Sequence, residues 1–164
     1  MAKKRFTTEL IERPGLYYSD TQLTTLVAEL RAVAASCFDD DIPDYQCLEG
    51  SRRELADKVI CIARDRRSGE LLGFSSAVLL PVLGVGDVLH LGLTCVNPDA
   101  RGGGLTRRLA SRLVISYLLR HRLFAKVWVS NLACVLSSLG NVALGFDDVY
   151  PSPYYRRRPC DEQQ

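Results

Sequence analysis

A run of three glycines, Gly102 to Gly104, marks the point where the spacing of apolar residues along this chain changes. Before it, Val88 to Val96 is an apolar run typical of a buried strand. After it, apolar residues recur every four positions, which predicts an amphipathic helix over Gly104–Arg120: Leu105, Leu109, Leu113 and Tyr117. Glycine destabilises a helix start unless the backbone there must be approached closely. The sequence therefore predicts a strand, a tight loop and a helix in succession.

The part of the chain before the glycines is predicted to contain four strands and two helices. The clearest helix is Ser19 to Phe38, where apolar residues recur at helical spacing and Ser19 with Gln22 forms a capping box. A shorter helix with the same kind of cap is predicted from Ser51 to Lys58. The predicted strands are Phe6–Glu12, Lys58–Arg64, Leu71–Leu80 and Val88–Val96, and turns at Arg66–Gly69 and Pro81–Asp87 join the last three.

Strands and helices alternate after the glycines. Ala125 to Ser130 is predicted to be a strand, and strand, helix and strand in succession form a βαβ unit whose strands run parallel. A weaker helix, Leu132–Leu139, and a last strand, Asp148–Tyr150, complete the order. The predicted fold is α/β (α+β, mixed sheet): an antiparallel meander followed by a βαβ unit, with helices on both faces, in a single domain over residues 1–164.

The composition limits the classes of function that suit the chain. Hydrophobic residues make up 47% and charged residues 24%, as in globular proteins with a packed core. The net charge of +2 gives no indication of a nucleic-acid or membrane partner. The six cysteines lack zinc-site spacing and several lie in apolar runs, so we expect no metal and a reducing compartment, the cytoplasm. The N-terminus lacks the apolar segment of a secretory signal.

The loop between the predicted strand and helix has two interpretations from its residues alone. A helix start offers unpaired N–H groups and the positive end of a dipole, so glycines there let a phosphate approach the amides. Arg101 adds a positive charge beside them. The other interpretation is a flexible turn before an ordinary helix. The segment is not a Walker loop or a dinucleotide fingerprint, because Lys-Ser/Thr and a distant acidic residue are missing.

The stretch VNPDARGGGLTRRL, Val96 to Leu109, resembles the acetyl-CoA loop of the GCN5-related N-acetyltransferase (GNAT) family. That family has Q/R-x-x-G-x-G/A after V-x-P, and here Val96-Asn97-Pro98 precedes Arg101-Gly102-Gly103-Gly104-Leu105-Thr106. Thr106 stands where Gly or Ala is usual. The segment Trp128–Asn131 resembles the end of the family's fifth strand, and Gly145-Phe146 resembles its closing Gly-Phe.

The resemblance implies an enzyme that transfers an acetyl group from acetyl-CoA to a primary amine, which attacks the thioester directly. It implies a cofactor site formed by Cys95, Val96, Arg101, Gly102, Gly103, Gly104, Leu105, Thr106 and Asn131. Of these, a backbone N–H near Cys95 or Val96 polarises the thioester carbonyl, and Asn131 contacts the pantetheine arm or a bound water. The alternative is a catalytically weak or inactive module of the same fold that works through cofactor or partner binding.

The amine must lose a proton before it attacks, since an ammonium has no free electron pair. Counting back from Val96 by the family's interval places His90 at the base position, and an imidazole titrates near neutral pH. We expect His90 to share a strand face with Gly92, Thr94 and Val96. Asp87 is a second candidate, and a structural histidine is the alternative. For the acid, straight counting gives Ser138 where the family has a tyrosine, and the nearby candidates are Cys134, Tyr150, Tyr154 and Tyr155.

The acidic loop DDDIPD lies between the two predicted helices, which in this family flank the acceptor site. Its carboxylates are predicted to attract a cationic amine: Asp40, Asp41 and Asp44, with Asp39 beside them. A solvated loop is the alternative. The last predicted strand leaves an open edge, which makes a homodimer possible. An RNA partner for Arg156–Arg158 has no support from a stacking motif.

Overall fold

The structure, a computed structural model, describes residues 6–38, 41–42, 44–121 and 128–131. The chain divides into two compact units, Met1–Ser130 and Asn131–Gln164, and Asn131 is the part of the second that is described. The described strands are β1 (Phe6–Glu12), β2 (Lys58–Asp65), β3 (Leu71–Val82), β4 (Gly86–Val96) and β5 (Trp128–Asn131). The described helices are α1 (Pro14–Tyr17), α2 (Asp20–Ala35), α3 (Gln46–Glu49) and α4 (Leu105–His121), and a single 3-10 turn spans Pro98–Ala100.

These strands form one mixed sheet in the order β1-β2-β3-β4-β5. The first four are antiparallel neighbours, and their register places Ile62 opposite Phe74 and Phe74 opposite Cys95. Strand β5 follows α4 along the chain and lies beside β4. The predicted meander followed by a βαβ unit is therefore confirmed.

Helices cover both faces of the sheet, as predicted. Leucines of α2, of which Leu30 is completely buried, pack in one core cluster with Ile60, Ile62 and Phe74. The alternate residues of β2 point to the opposite face, where α4 buries Leu105, Leu109 and Leu113. Each such side chain contributes about 1.5–3 kcal/mol by leaving water. The two apolar faces fix the sheet between α2 and α4.

The predicted helix from Ser51 to Lys58 is wrong, and one-turn helices α1 and α3 form where none was predicted. The predicted cap does form, since Ser51 Oγ accepts from the Glu54 N–H at 3.1 Å. The segment then continues as turns, because the Leu55 carbonyl accepts from the Gly15 N–H at 3.0 Å and the chain enters β2 at Lys58. Tertiary bonds to α1 thus take the place of a longer helix.

The hairpin between β3 and β4 is longer than predicted, so the predicted turn at Pro81–Asp87 is too wide. Pro81 and Asp87 are paired residues of the two strands. The actual turn closes with the Val85 N–H donating to the Val82 carbonyl at 3.1 Å. Gly84 lies in this turn with φ +78°, a conformation that favours glycine.

Several predicted features fall outside the described residues. These are the first residues of the strand from Ala125, the helix Leu132–Leu139 and the last strand Asp148–Tyr150. The homodimer, which depended on the edge of that last strand, remains a prediction. Within the described ranges, no helix has both the length and the apolar character needed to cross a membrane.

Candidate active site

The loop at the end of β4 has the strand–loop–helix geometry that the glycines predict. After Val96, a 3-10 turn leads into Arg101, and α4 begins at Leu105. Gly102 has φ +86° and Gly104 has φ +68°, both in the left-handed region where a side chain is strained. A Cβ at Gly102, Gly103 or Gly104 meets no atom within 4 Å, so it would project into open space.

That open space lies at the N-terminal end of α4. The first bond inside the helix runs from the Arg108 N–H to the Gly104 carbonyl at 3.1 Å, so the preceding amides have no partner within the helix. Unpaired N–H groups together with the helix dipole attract an anion. Because side chains at the three glycines would fill the same space, the loop is suited to a pyrophosphate group.

Arg101 stands at the edge of this loop and is tied to the strand before it. Its Nε donates to the Val96 carbonyl at 3.1 Å, while the residue as a whole remains exposed. Arg101 and Gly103 line a cavity of about 1140 Å³ with Arg66 and Arg67 of the β2–β3 turn. The arginines of that turn therefore lie beside the loop, a placement that no pattern in the sequence predicts. Three carboxylate residues also line the cavity: Asp65, Glu70 and Asp99.

Strand β4 contains a bulge that changes which side chains share a face. Ser75 pairs with Thr94 and Ala77 pairs with Leu91, so Ser76 lies opposite two residues, Gly92 and Leu93. The Ser76 hydroxyl donates to the Leu93 carbonyl at 3.1 Å. A Cβ at Gly92 would lie 3.0 Å from Ser76 Oγ, which explains a glycine at this position.

The bulge corrects the prediction for the face of His90. Val78, opposite His90, and Phe74, opposite Cys95, occupy even positions of β3 and lie on the face covered by α2. Thr94 and Val96 are opposite odd positions of β3 and lie on the other face. His90 therefore shares its face with Cys95 rather than with Thr94 and Val96, because the extra residue inverts the alternation. Asp87, before the bulge, lies on the face opposite His90.

The imidazole of His90 is half-buried and reaches across to β5. Its Nδ1 lies 2.9 Å from the hydroxyl oxygen of Ser130, at hydrogen-bonding distance. This contact occupies one ring nitrogen and leaves Nε2 as the second proton-exchanging atom. A neutral imidazole held in this way has the chemistry of a general base.

The end of β4 contacts Cys37, which follows α2, through the Cys95 thiol and the Val96 carbonyl. The side chain of Cys95 is buried, and burial, reinforced by the neighbouring Cys37 thiol, raises the pKa of Cys95 to about 12. Cys37 Sγ lies 3.3 Å from the Val96 carbonyl, which is also the acceptor of Arg101. At neutral pH Cys95 is a neutral thiol of the core, so any part it has in cofactor binding comes from its backbone.

The other predicted site residues are placed only in part. Asp41 and Asp44 are exposed, and Cys37, which precedes their loop, contacts the end of β4. Asn131 is the last residue of β5. Asp40, Ser138 and Tyr154 lie outside the described residues. The structure thus places His90 on β4 and the glycine loop in the segment that follows the end of that strand.

Comparison with known proteins assigns the family. The family model described as the acetyltransferase (GNAT) family matches residues 24–136, which is more than half of the chain. The chain belongs to the GNAT family. Family membership confirms the predicted family and identifies acetyl transfer as the class of activity. No curated protein sequence matches the chain.

Solved structures agree with this GNAT fold at low identity. A predicted acetyltransferase from Clostridium acetobutylicum, solved with acetyl-CoA, is 16% identical, with a TM-score of 0.58 and coverage of 92% of this chain and 96% of that one. A ribosomal-protein-alanine N-acetyltransferase from Brucella melitensis biovar Abortus 2308 is 17% identical, with a TM-score of 0.58 and coverage of 93% and 97%. The aminoglycoside N-acetyltransferase AAC(6')-Iy in complex with CoA is also 17% identical, with a TM-score of 0.58 and coverage of 93% and 95%.

Two residues of the candidate site were missed from the sequence. Gly92 interrupts an apolar strand, and an isolated glycine in a strand is itself a signal of a bulge. Ser130 belongs to the segment Trp128–Asn131, which resembles the end of the family's fifth strand. Its contact with His90, however, depends on how β5 lies against β4. No spacing along the chain reports that arrangement.

Proposed function

We propose that this GNAT protein transfers the acetyl group of acetyl-CoA to a primary amine, which attacks the thioester directly. The observation that carries the proposal is the open glycine loop, Gly102–Gly104, at the N-terminus of α4. It continues from the strand that bears His90. The ribosomal-protein-alanine N-acetyltransferase and the aminoglycoside N-acetyltransferase of similar fold both act on nitrogen, which supports an amine as acceptor.

In this proposal the loop binds and orients the cofactor. When bound, acetyl-CoA supplies an acetyl group already activated as a thioester. The backbone N–H groups of Gly102 to Thr106, with the charge of Arg101, hold its pyrophosphate. Leu105 anchors this loop, because its side chain is buried under the first turn of α4. A backbone N–H near Cys95 or Val96 polarises the thioester carbonyl, and Asn131 contacts the pantetheine arm.

His90 removes the proton that the amine must lose. A primary ammonium has a pKa of about 10, so at neutral pH nearly all of the acceptor is protonated and cannot attack. Nε2 of His90 accepts this proton, directly or through one water, while Ser130 occupies Nδ1. The departing sulfur needs a proton in return, for which Ser138 and Tyr154 remain the proposed donors.

The acidic loop after α2 is the proposed entry for a cationic acceptor. Asp41 and Asp44 are exposed, and Asp40 lies in the same run. The chain segment that leads into this loop contacts the end of β4 through Cys37. Exposed carboxylates at such a place raise the local concentration of cations more than they bind tightly. The free thiols of Cys37, Cys47, Cys61 and Cys95 suit a reducing compartment, so we place the protein in the cytoplasm.

The test is an acetylation assay with the purified full chain. Acetyl-CoA is supplied with a panel of amines that includes amino acids, polyamines, aminoglycosides, lysine peptides and peptides with a free N-terminal alanine. We expect release of CoA thiol that depends on one acceptor class, and a product that mass spectrometry shows to carry one acetyl group. Calorimetric binding of acetyl-CoA without transfer to any amine would instead support the inactive module. No binding at all would refute the cofactor assignment.

A further inference from the structure

The contact between His90 and Ser130 joins two strands at the candidate site. Nδ1 of the imidazole and Oγ of the serine are 2.9 Å apart, and both residues are half-buried. The residues are 40 positions apart in sequence, so this contact exists because β5 lies beside β4. It connects the proposed base to a residue with no assigned role.

A hydroxyl suits this position because it both donates and accepts. With a neutral imidazole, Ser130 accepts from Nδ1–H in one tautomer and donates to Nδ1 in the other. With an imidazolium, both ring nitrogens are donors, and the hydroxyl rotates to accept. The serine therefore keeps the ring in place in both protonation states, which is the requirement for a group that takes up a proton and releases it in each turnover.

We propose that Ser130 is the positioning residue for the imidazole of His90, fixing Nδ1 so that Nε2 is the nitrogen that exchanges the substrate proton. This inference rests on the proposed function, which assigns His90 as the base. A bond to an imidazolium is charge-assisted and stronger than a bond to the neutral ring. The contact therefore strengthens as the ring takes up the substrate proton, and its removal leaves the orientation of the ring less restricted.

Few charged groups on the neighbouring elements compete with Ser130 for the imidazole. On the face of His90, β3 presents Val78, and beyond it β2 presents the buried Lys58, which forms an ion pair with Asp57. Cys47 of α3 lies near Lys58, and burial raises the pKa of this thiol. Strand β5 carries no ionisable side chain, and the α2 residues of the core are apolar. Asp87 faces the other side of β4.

The decisive experiment is NMR spectroscopy of the ring nitrogens of the two histidines of the chain, His90 and His121, at one fixed pH. A His121→Gln variant assigns the signals. In Ser130→Ala we expect the Nδ1 signal of His90 to move, because this nitrogen loses its hydrogen-bond partner, while the His121 signals stay in place. Ser130→Thr should keep the wild-type signals of His90, because the hydroxyl is retained. A His90 Nδ1 signal that is the same in the wild type and in Ser130→Ala would overturn the proposal, whatever the activity of the protein.

A kinetic measurement then connects the contact to turnover. In Ser130→Ala we expect kcat at neutral pH to fall about tenfold with the KM for acetyl-CoA unchanged, and Ser130→Thr to restore kcat. The matched control is Ser75→Ala, which removes a hydroxyl paired with Thr94 on the opposite face of the sheet at 2.8 Å. A kcat that stays at the wild-type value in Ser130→Ala, or that falls equally in the control, would refute a positioning role. A wild-type protein without acetyl transfer would refute the proposed function instead.

Discussion

The glycine loop and the middle of β4 form two parts of one candidate site, yet they depend on different atoms. In the proposed function, the loop binds the cofactor through backbone N–H groups and needs only that no side chain fill the space around Gly102–Gly104. The middle of β4 is proposed to act through the side chain of His90, whose face is set by the bulge at Gly92 and whose ring contacts Ser130. A site made of backbone N–H groups is lost when a side chain fills the space beside them. A site made of a side chain is lost when that residue is replaced, or when a change in strand register moves it to the other face. Damage to the loop should therefore appear in affinity, and damage at His90 in turnover.

The largest expected effect is on turnover in His90→Ala. Loss of a general base lowers kcat by about 10²–10⁴-fold, while the affinity for acetyl-CoA stays at the wild-type value. Raising the pH should recover part of kcat, because the fraction of unprotonated amine increases. Steady-state kinetics from pH 6 to pH 10 test this, with Asp87→Asn as the control on the other face. If the two variants lost equal activity, or if His90→Ala lost affinity as well, the separation between the two regions would fail.

The next largest effect is on cofactor binding in Gly103→Glu. Gly103 has ordinary φ and open space around it, so the substitution adds a carboxylate without backbone strain. We expect the dissociation constant of acetyl-CoA to rise at least 100-fold, about 2.7 kcal/mol, at an unchanged melting temperature. Calorimetry and thermal unfolding measure both quantities. The charge control is Ala28→Glu, on the exposed side of α2. Wild-type affinity in Gly103→Glu would remove the loop from the cofactor site.

A third substitution, Gly92→Ala, tests whether a change at the bulge affects turnover without affecting the cofactor loop. In Gly92→Ala the new Cβ lies 3.0 Å from Ser76 Oγ and 3.4 Å from the Ser76 carbonyl oxygen. We expect the free energy of unfolding to fall by about 1–3 kcal/mol, with kcat reduced and acetyl-CoA affinity kept. Gly103→Ala is the matched control, since its Cβ meets nothing within 4 Å. Equal stability of the two variants in urea denaturation would show that the bulge tolerates a side chain.

The difference between backbone and side-chain requirements also explains how much of the fold and the candidate site is predictable from the sequence. The loop was recognisable because its requirements are local: a strand that ends, three glycines and a helical apolar pattern that begins. The order of the sheet followed from the same local patterns. Helix Ser51–Lys58 was predicted wrongly because the Leu55 carbonyl bonds to Gly15, forty residues earlier, and no local propensity reports such a bond.

The face of His90 was not predictable from strict alternation. A single extra residue in β4 inverts the alternation beyond it, and the face on which His90 lies follows from that inversion. Gly92 was visible in the sequence, but its effect on register requires the partner strand. The contact between His90 and Ser130 requires β5 as well. The side-chain part of the site therefore depends on pairings between distant strands, and the backbone part does not.

The smallest expected effect is on stability at alkaline pH. It concerns the sheet face covered by α4, the helix that begins at the glycine loop. Cys61 of β2 is completely buried there, and burial raises the pKa of its thiol to about 11. In the unfolded chain a thiol ionises near pH 8.5, so above that pH the unfolded state releases a proton that the native state keeps. Since the native state then binds more protons, stability decreases as the pH rises, by about 1 kcal/mol between pH 8 and pH 9.5.

Urea denaturation of the wild type and Cys61→Ala measures this difference, because all other titrating groups are common to both proteins. The alanine variant should be less stable at pH 8 but lose less stability up to pH 9.5. If the stability of the two proteins changed equally with pH, this thiol would ionise as readily in the native sheet as in the unfolded chain. The packing of α4 would then not exclude water from this face of the sheet.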